Sequence, residues 1–239
     1  WALTGKGMAE CSKIMREKGL DPAAVQAIMG DGIICGIAGV DADGNAITPY
    51  ICYIDSRTQA DEIEINSWDL DIWGRETGNP EAKCMFPALF ARWMLGNVPD
   101  FKEKGAKFMN NAPYVLSHLA GLKADEMFID WGAMSGWGMG YKIEEKCWSD
   151  EQLEILGIPK SMMPRIVKPW DIIGALSPDM AEKTGFPAGI PICGGAGDTR
   201  QSMLGSGNIE AGQAVDVAGT CSMFCVSTKG IIPELRKKG

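Results

Sequence analysis

The run Gly194–Gly205, GGAGDTRQSMLG, constrains this chain more than any other stretch. An apolar segment, Ile190, Pro191, Ile192 and Cys193, stops at consecutive glycines that deliver Asp198, and Thr199 to Leu204 reads as the first turns of a helix. Glycine permits positive φ and lets a second molecule come close to the backbone. Strand, glycine turn, acid, helix is a site-like order. A carboxylate so placed is either a functional group or the cap of the helix that follows it, and the local pattern leaves both open.

The 239 residues, 46% hydrophobic and 23% charged, are enough for one large domain or two small ones with a sizeable core. A formal net charge of −8 and a pI near 4.8 disfavour binding to nucleic acid or to an anionic membrane surface. Small molecules or proteins are the expected partners. No uninterrupted apolar run reaches the ~18 residues a membrane helix needs, and the N-terminus lacks a signal pattern, so a cytoplasmic protein is expected. The eight cysteines are scattered mostly in apolar segments without a CxxC pair, and His118 is the single histidine. Reduced thiols are the simplest account, and no metal site is expected. The chain opens on Trp1 and closes on a basic ELRKKG tail, and reads as a piece of something longer.

Taken in order, Ala2–Lys18 has the apolar spacing of an amphipathic helix ended by Gly19. Gly30 to Val40 reads as one strand or two, and the turn signal at 41–45 followed by PYICYI predicts a hairpin. AspSerArg at 55–57 ends that strand ahead of a charged helix through Ile65, where Asp55 and Arg57 could be no more than a surface ion pair. Residues 66–80 read as an ordered loop, and residues 86–95 and 108–119 as helices. FIDWGAMSGWGMGY, residues 128–141, reads as a rigid aromatic loop, able to stack on a small ligand or simply to pack. Ser149 with Gln152 predicts a capping box, and Ser177 with Pro178 starts another helix. After the acidic turn, residues 213–218 and 222–227 predict a hairpin with a small-residue tip, whose backbone N–H groups could face phosphate oxygens as those of many tight turns do.

The order of these pieces, VDADG, PYICYIDSR, TGNP, FIDWGAMSG, CWSDEQLEILGIP, IIGALS, AEKTGFPAGIPICGGAGD, LGSGNIEAG and DVAGTCS, resembles the FGGY carbohydrate kinases, the xylulokinase and glycerol kinase family. The resemblance runs from Trp1 to about Lys229 and is most specific over 185–222. It implies an α/β, actin-like ATPase (ribonuclease H-like) fold, here mainly the N-terminal sugar-binding domain. Residues 1–208 would be most of that domain, with no DxGT-type first phosphate loop found. Residues 209–239 would be the opening β-hairpin of the C-terminal nucleotide-binding domain, so this polypeptide alone is expected to be inactive.

The same resemblance implies phosphorylation of a sugar or polyol hydroxyl, with MgATP as co-substrate and a xylulose-like ketose as the default acceptor. Asp198 would be the general base. Gly219, Thr220, Cys221 and Ser222 match the phosphate loop of the second domain, with a cysteine where serine is usual. Ile34 and Cys35 fall where xylulokinases have Met and His and glycerol kinases Arg and Glu, so the polyol hydrogen bonds of both are missing. Asp55 and Arg57 match a WxDxR motif with Tyr53 in place of Trp, and Trp131 matches a substrate-facing aromatic. Thr199 follows the base, and Arg200 stands where small residues are usual, able to reach an anionic substrate group or only solvent. A non-catalytic, sugar-binding or regulatory homologue is the alternative that the altered pair at 34 and 35 raises. A homodimer is the assembly to test.

Overall fold

A computed structural model describes residues 1–218, 222–230, 232 and 234. Its strands are short, and pairs of them rather than one broad sheet organise the chain. Strand Asp31–Gly32 runs parallel to Ala196–Gly197, and the pairing extends backward through a bridge between Ile28 and Ile192. Pro191–Cys193 pairs antiparallel with Ile172–Ala175, and Phe128–Asp130 pairs parallel with Arg165–Val167. The predicted hairpin is present: Gly36–Val40 lies between Ile51–Cys52 and Lys107–Met109, antiparallel to both. Its turn is closed by Asp41, whose Oδ1 accepts from the Asn45 backbone N–H at 2.8 Å.

Helices cover these strands where the sequence spacing indicates. Ala2–Glu17 ends at Gly19, which takes φ +72°. It docks on Pro178–Thr184 through the buried Ser12, whose hydroxyl donates to Thr184 O at 2.7 Å. Ser177 caps that second helix, accepting from Met180 N–H, and Gly185 closes it at φ +73°. Ser149 accepts from Gln152 N–H as expected, but the Gln152 side chain does not return to the cap. It is committed to Gly140 N–H, Tyr141 O and the Glu76 carboxylate, tying three segments together.

Three loop or helix assignments from sequence are corrected. Residues 66–80 contain a helix, Ile72–Thr77, that buries Trp73. Residues 108 and 109 are not helical: Phe108 and Met109 belong to the strand beside Gly36–Val40, and the helix runs over Asn111–Ala120. Their apolar pair continues the helical periodicity by accident, and sheet pairing overrides it. The aromatic segment 128–141 is strand Phe128–Asp130, helix Trp131–Ser135 and strand Tyr141–Lys142. Pieces this short carry too few residues to show a period.

The larger core gathers Trp73, Phe90, Trp137 and Tyr141 with Phe108 of the three-stranded sheet. A second joins Leu116 and Leu119 of helix Asn111–Ala120 to Phe128, Ile173 and Ile192, the last on the strand that leads to the acidic turn. The turn is therefore backed by packed apolar side chains. Among the described residues no helix is long and apolar enough to cross a membrane.

Candidate active site

Three strand ends meet at the site. Because Asp31 pairs with Ala196 and Gly32 with Gly197 in parallel, the chain leaves both strands at the same end, toward Ile33 on one side and Asp198 on the other. The parallel strand Phe128–Asp130 ends beside them: a Cβ built on Gly132 would stand 3.0 Å from Gly197 N. Carboxyl ends of parallel strands are where α/β proteins place ligands.

The glycines of the turn serve approach. Gly195 has φ +77°, and a Cβ there would fall 2.2 Å from Gly30 O, so no other residue fits. Gly197 has φ −70° and ψ 149°, open to any residue, yet its Cβ would fall 2.0 Å from Ile34 Cγ2. On its other side Ile34 lies against Gly136, where a Cβ would come within 2.5 Å of the Ile34 Cβ. Ile34 is thus wedged between two bare backbones.

Asp198 is the first residue of helix Asp198–Gly205, and Gly197 is the cap. Its Oδ1 accepts from Thr199 N–H at 2.6 Å and from Thr199 Oγ1 at 3.3 Å. That is a local bond rather than the reach to the second or third N–H by which a capping side chain works.

The carboxylate opens on a cleft of about 380 Å³. Helix Asp198–Gly205 lends it Thr199 and Ser202, and the bend after Asp31–Gly32 lends Ile33, Ile34 and Cys35. Tyr53 and Met85 form a second wall, and Val217 and Met223 close it from the hairpin Ala214–Ala218/Ser222–Val226. Burial pushes the Cys35 thiol up to about 11, and the charge of Asp198 adds to that shift. Its Sγ lies 3.7 Å from Gly136 O, to which the thiol donates. Burial likewise pushes the Tyr50 phenol up, with lesser contributions from Cys52, Cys35 and Asp198.

Other residues singled out from sequence are distributed around this cleft. Asp55 and Arg57 form a bidentate pair, with Nε to Oδ1 at 2.9 Å and Nη2 to Oδ2 at 2.7 Å, and the guanidinium lies 4.6 Å from the Trp93 ring centre. The hydrogen bonds from Arg57 hold the Asp55 carboxyl below its usual range. Neither lines the cleft, although Tyr53 of the same motif does. Trp131 meets Trp170 edge to face at 5.4 Å, with Lys146 Nζ 5.7 Å from its ring centre, and is also outside the lining. Arg200 is exposed on the helix. Burial pushes the Tyr141 phenol up, and a hydrogen bond from Asn79 and the charge of Arg200 pull it the other way. Ser222 opens the second hairpin strand and donates to Asp216 Oδ1 at 2.8 Å, while Gly219, Thr220 and Cys221 lie outside the described residues. No group of three or more metal-ligating side chains occurs among the described residues.

Two buried residues that sequence reading missed hold the site in shape. Asn110 donates from Nδ2 to Ile34 O at 2.9 Å and to Gly36 O at 3.0 Å, and accepts from Trp137 Nε1 at 3.0 Å. The spacing places it inside a helix over 108–119, whereas it precedes the helix Asn111–Ala120 and its side chain makes no capping bond. Asp130 ends its strand with Oδ1 accepting from Gly132 N–H at 2.7 Å and Ala133 N–H at 3.0 Å. Burial pushes its carboxyl up to about 6 against those two bonds.

A family model described as the N-terminal domain of the FGGY family of carbohydrate kinases matches residues 2–205. A glycerol kinase of Nitratidesulfovibrio vulgaris (strain DP4) is 27% identical over 192 residues, covering 78% of this chain and 37% of the relative. One from Thermococcus gammatolerans is 29% identical over 194 residues, covering 79% and 37%. The chain spans well under half the length of these curated relatives. Among solved structures, Plasmodium falciparum glycerol kinase with ADP superposes with a TM-score of 0.85 at 18% identity, over 94% of this chain and 44% of that one. A ligand-bound xylulose kinase from Lactobacillus acidophilus gives 0.80 at 19%, over 92% and 43%. At such identities the likeness speaks for the fold alone, and that fold is the mixed α/β, actin-like ATPase fold.

Proposed function

The chain belongs to the FGGY family of carbohydrate kinases, and on that premise we propose that the protein carrying it phosphorylates a sugar or polyol hydroxyl at the expense of ATP. Asp198 acts as the general base. The observation that carries this reading is the placement of Asp198: at the carboxyl end of a parallel strand pair, on the first residue of a helix, facing a cleft of substrate size. In the step proposed, the acceptor hydroxyl gives its proton to the Asp198 carboxylate while its oxygen bonds to the γ-phosphorus, and the bond from that phosphorus to the β-bridging oxygen breaks to release ADP. Such transfers ask the protein for positioning and charge stabilisation above all.

Thr199 and Cys35 flank the acceptor in this reading, and Ile34 shapes the wall. Asp55 and Arg57 support that wall from outside through Tyr53. Trp131 and Arg200 would reach an acceptor only from the rim. Gly219, Thr220, Cys221 and Ser222 would receive phosphate oxygens of MgATP through backbone N–H groups. A division near residue 208 is supported by the local geometry: the helix ends at Gly205, Gly207 and Gly212 take φ +78° and +91°, and the hairpin starts at Ala214. The family match also stops at 205. A xylulose-like ketose is the first acceptor to try.

The test is Asp198→Asn in the full-length protein, assayed by ADP release with saturating acceptor. A general base typically contributes ~10²- to 10⁴-fold, so kcat should fall by at least ~10²-fold. Turnover within a few-fold of the parent would remove Asp198 from the chemistry.

A further inference from the structure

The lining of the cleft says what kind of acceptor it fits. Beside Asp198, the polar groups that describe its wall are few: the hydroxyls of Thr199, Ser202 and Tyr53. Thr199 is itself engaged with Asp198, its Oγ1 at 3.3 Å from Oδ1. The other side chains of the lining are hydrocarbon or sulfur: Ile33, Ile34, Cys35, Met85, Val217 and Met223. Cys35 offers no better: its thiol stays protonated at neutral pH and already donates to Gly136 O. Asn110, a buried amide bonded to this bend, has its Nδ2 committed to Ile34 O and Gly36 O and its Oδ1 to Trp137. Among the described residues, no lysine or arginine lines the cleft.

A fully hydroxylated chain would turn at least one hydroxyl against this wall and leave it stripped of water without a partner. A carboxylate held in this lining would face Asp198, with Arg200 exposed outside the lining. Resting on the kinase reading above, we infer that the acceptor is uncharged and partly deoxygenated: a sugar or polyol that presents a methyl or methylene to the apolar lining of Ile33, Ile34 and Met85 while one hydroxyl faces Asp198. Apolar walls of this kind separate a hydroxyl from a hydrogen by about 10- to 100-fold. The discrimination falls on the carbon that meets the wall and not on the phosphorylated one.

The experiment compares, with the full-length protein, ribulose, xylulose and fructose against sets in which each hydroxyl in turn is replaced by hydrogen, with gluconate as the acidic probe. Calorimetric binding and ATP-dependent ADP release are both read. At least one deoxy compound should bind about 10-fold or more tightly than its parent, gluconate should not bind, and Met85→Gln should bring the deoxy-to-parent ratio toward one. A parent sugar preferred over every one of its deoxy analogues, or gluconate bound as well as the neutral sugars, overturns the inference and leaves the kinase reading standing if ADP is released. A deoxy preference in binding with no ADP released from any compound supports the inference and sinks the kinase reading. No binding by any compound overturns the inference.

Discussion

Replacing Gly197 with alanine tests the claim that Ile34 and the acidic turn are fitted to one another. Gly197 sits at φ −70° and ψ 149°, a conformation alanine adopts without strain. The whole obstacle is therefore Ile34 Cγ2, 2.0 Å from where the new methyl would be, against a comfortable carbon–carbon separation of about 3.5–4.0 Å. Ile34 cannot swing aside freely, being β-branched and pressed on its far side by the Gly136 backbone. Overpacking of this kind costs about 1–3 kcal/mol. Ile34→Ala alone removes a partly buried side chain and costs about 1–2 kcal/mol, roughly half the range for a fully buried isoleucine. In the double variant the new methyl enters space the isoleucine has left, so the two costs should fall short of their sum by about 1–2 kcal/mol. Urea unfolding of the three variants and the parent, at constant m, reads this coupling. Additivity within about 0.5 kcal/mol is what independent sites give, and finding it would refute the wedge.

Other outcomes follow from the buried polar groups. Asp130 has its folded pKa raised to about 6 by burial, above the unfolded value of about 3.9. The folded state therefore holds the proton more tightly, and the stability linked to this group is complete below about pH 4 and lost as pH rises through 6. Two pH units correspond to roughly 3 kcal/mol. Asp130→Asn keeps a capping side chain, and its pH–stability profile between 4 and 6.5 should be flatter than the parent's by an amount of that order; parallel profiles would contradict the shift. Asn110→Ala should lower stability by about 2 kcal/mol or more, because it strands Trp137 Nε1, Ile34 O and Gly36 O. It should also speed alkylation of Cys35 as the bend loosens, and an unchanged labelling rate would separate Asn110 from the site.

What the sequence disclosed depended on the range of the interaction that fixed each part. Helix ends set by local chemistry, such as Gly19, Gly185 and the Ser177 cap, were legible because cap and turn residues act within a few positions. So was the acidic turn, since glycines and Asp198 are neighbours in the chain. Phe108 and Met109 were not, because their strand exists only through Gly39 and Ala38, about 70 positions away. Asn110 was missed for the same reason: its partners Ile34 and Trp137 lie far off in sequence. The wedge of Ile34 between Gly136 and Gly197 also joins three distant segments. Order of motifs indicated a family, but only the fold shows which side chains share a wall.

The hairpin that closes the cleft stands on a different footing from the rest. Its two strands pair with each other across five residue pairs, and Phe224, Val226 and Met223 are exposed at 72, 51 and 43%. Two strands with so little apolar backing open at low free energy on their own. Their amide protons should exchange with solvent well before those of Gly36–Val40, whose five residues are all buried. Since Val217 and Met223 are part of the cleft wall, each such opening removes that wall while the strand pair that presents the exposed Asp198 stays closed. The hairpin side of the cleft is then more readily opened than the side that presents the acid, and a ligand that bridges Asp198 and the hairpin would slow exchange there first.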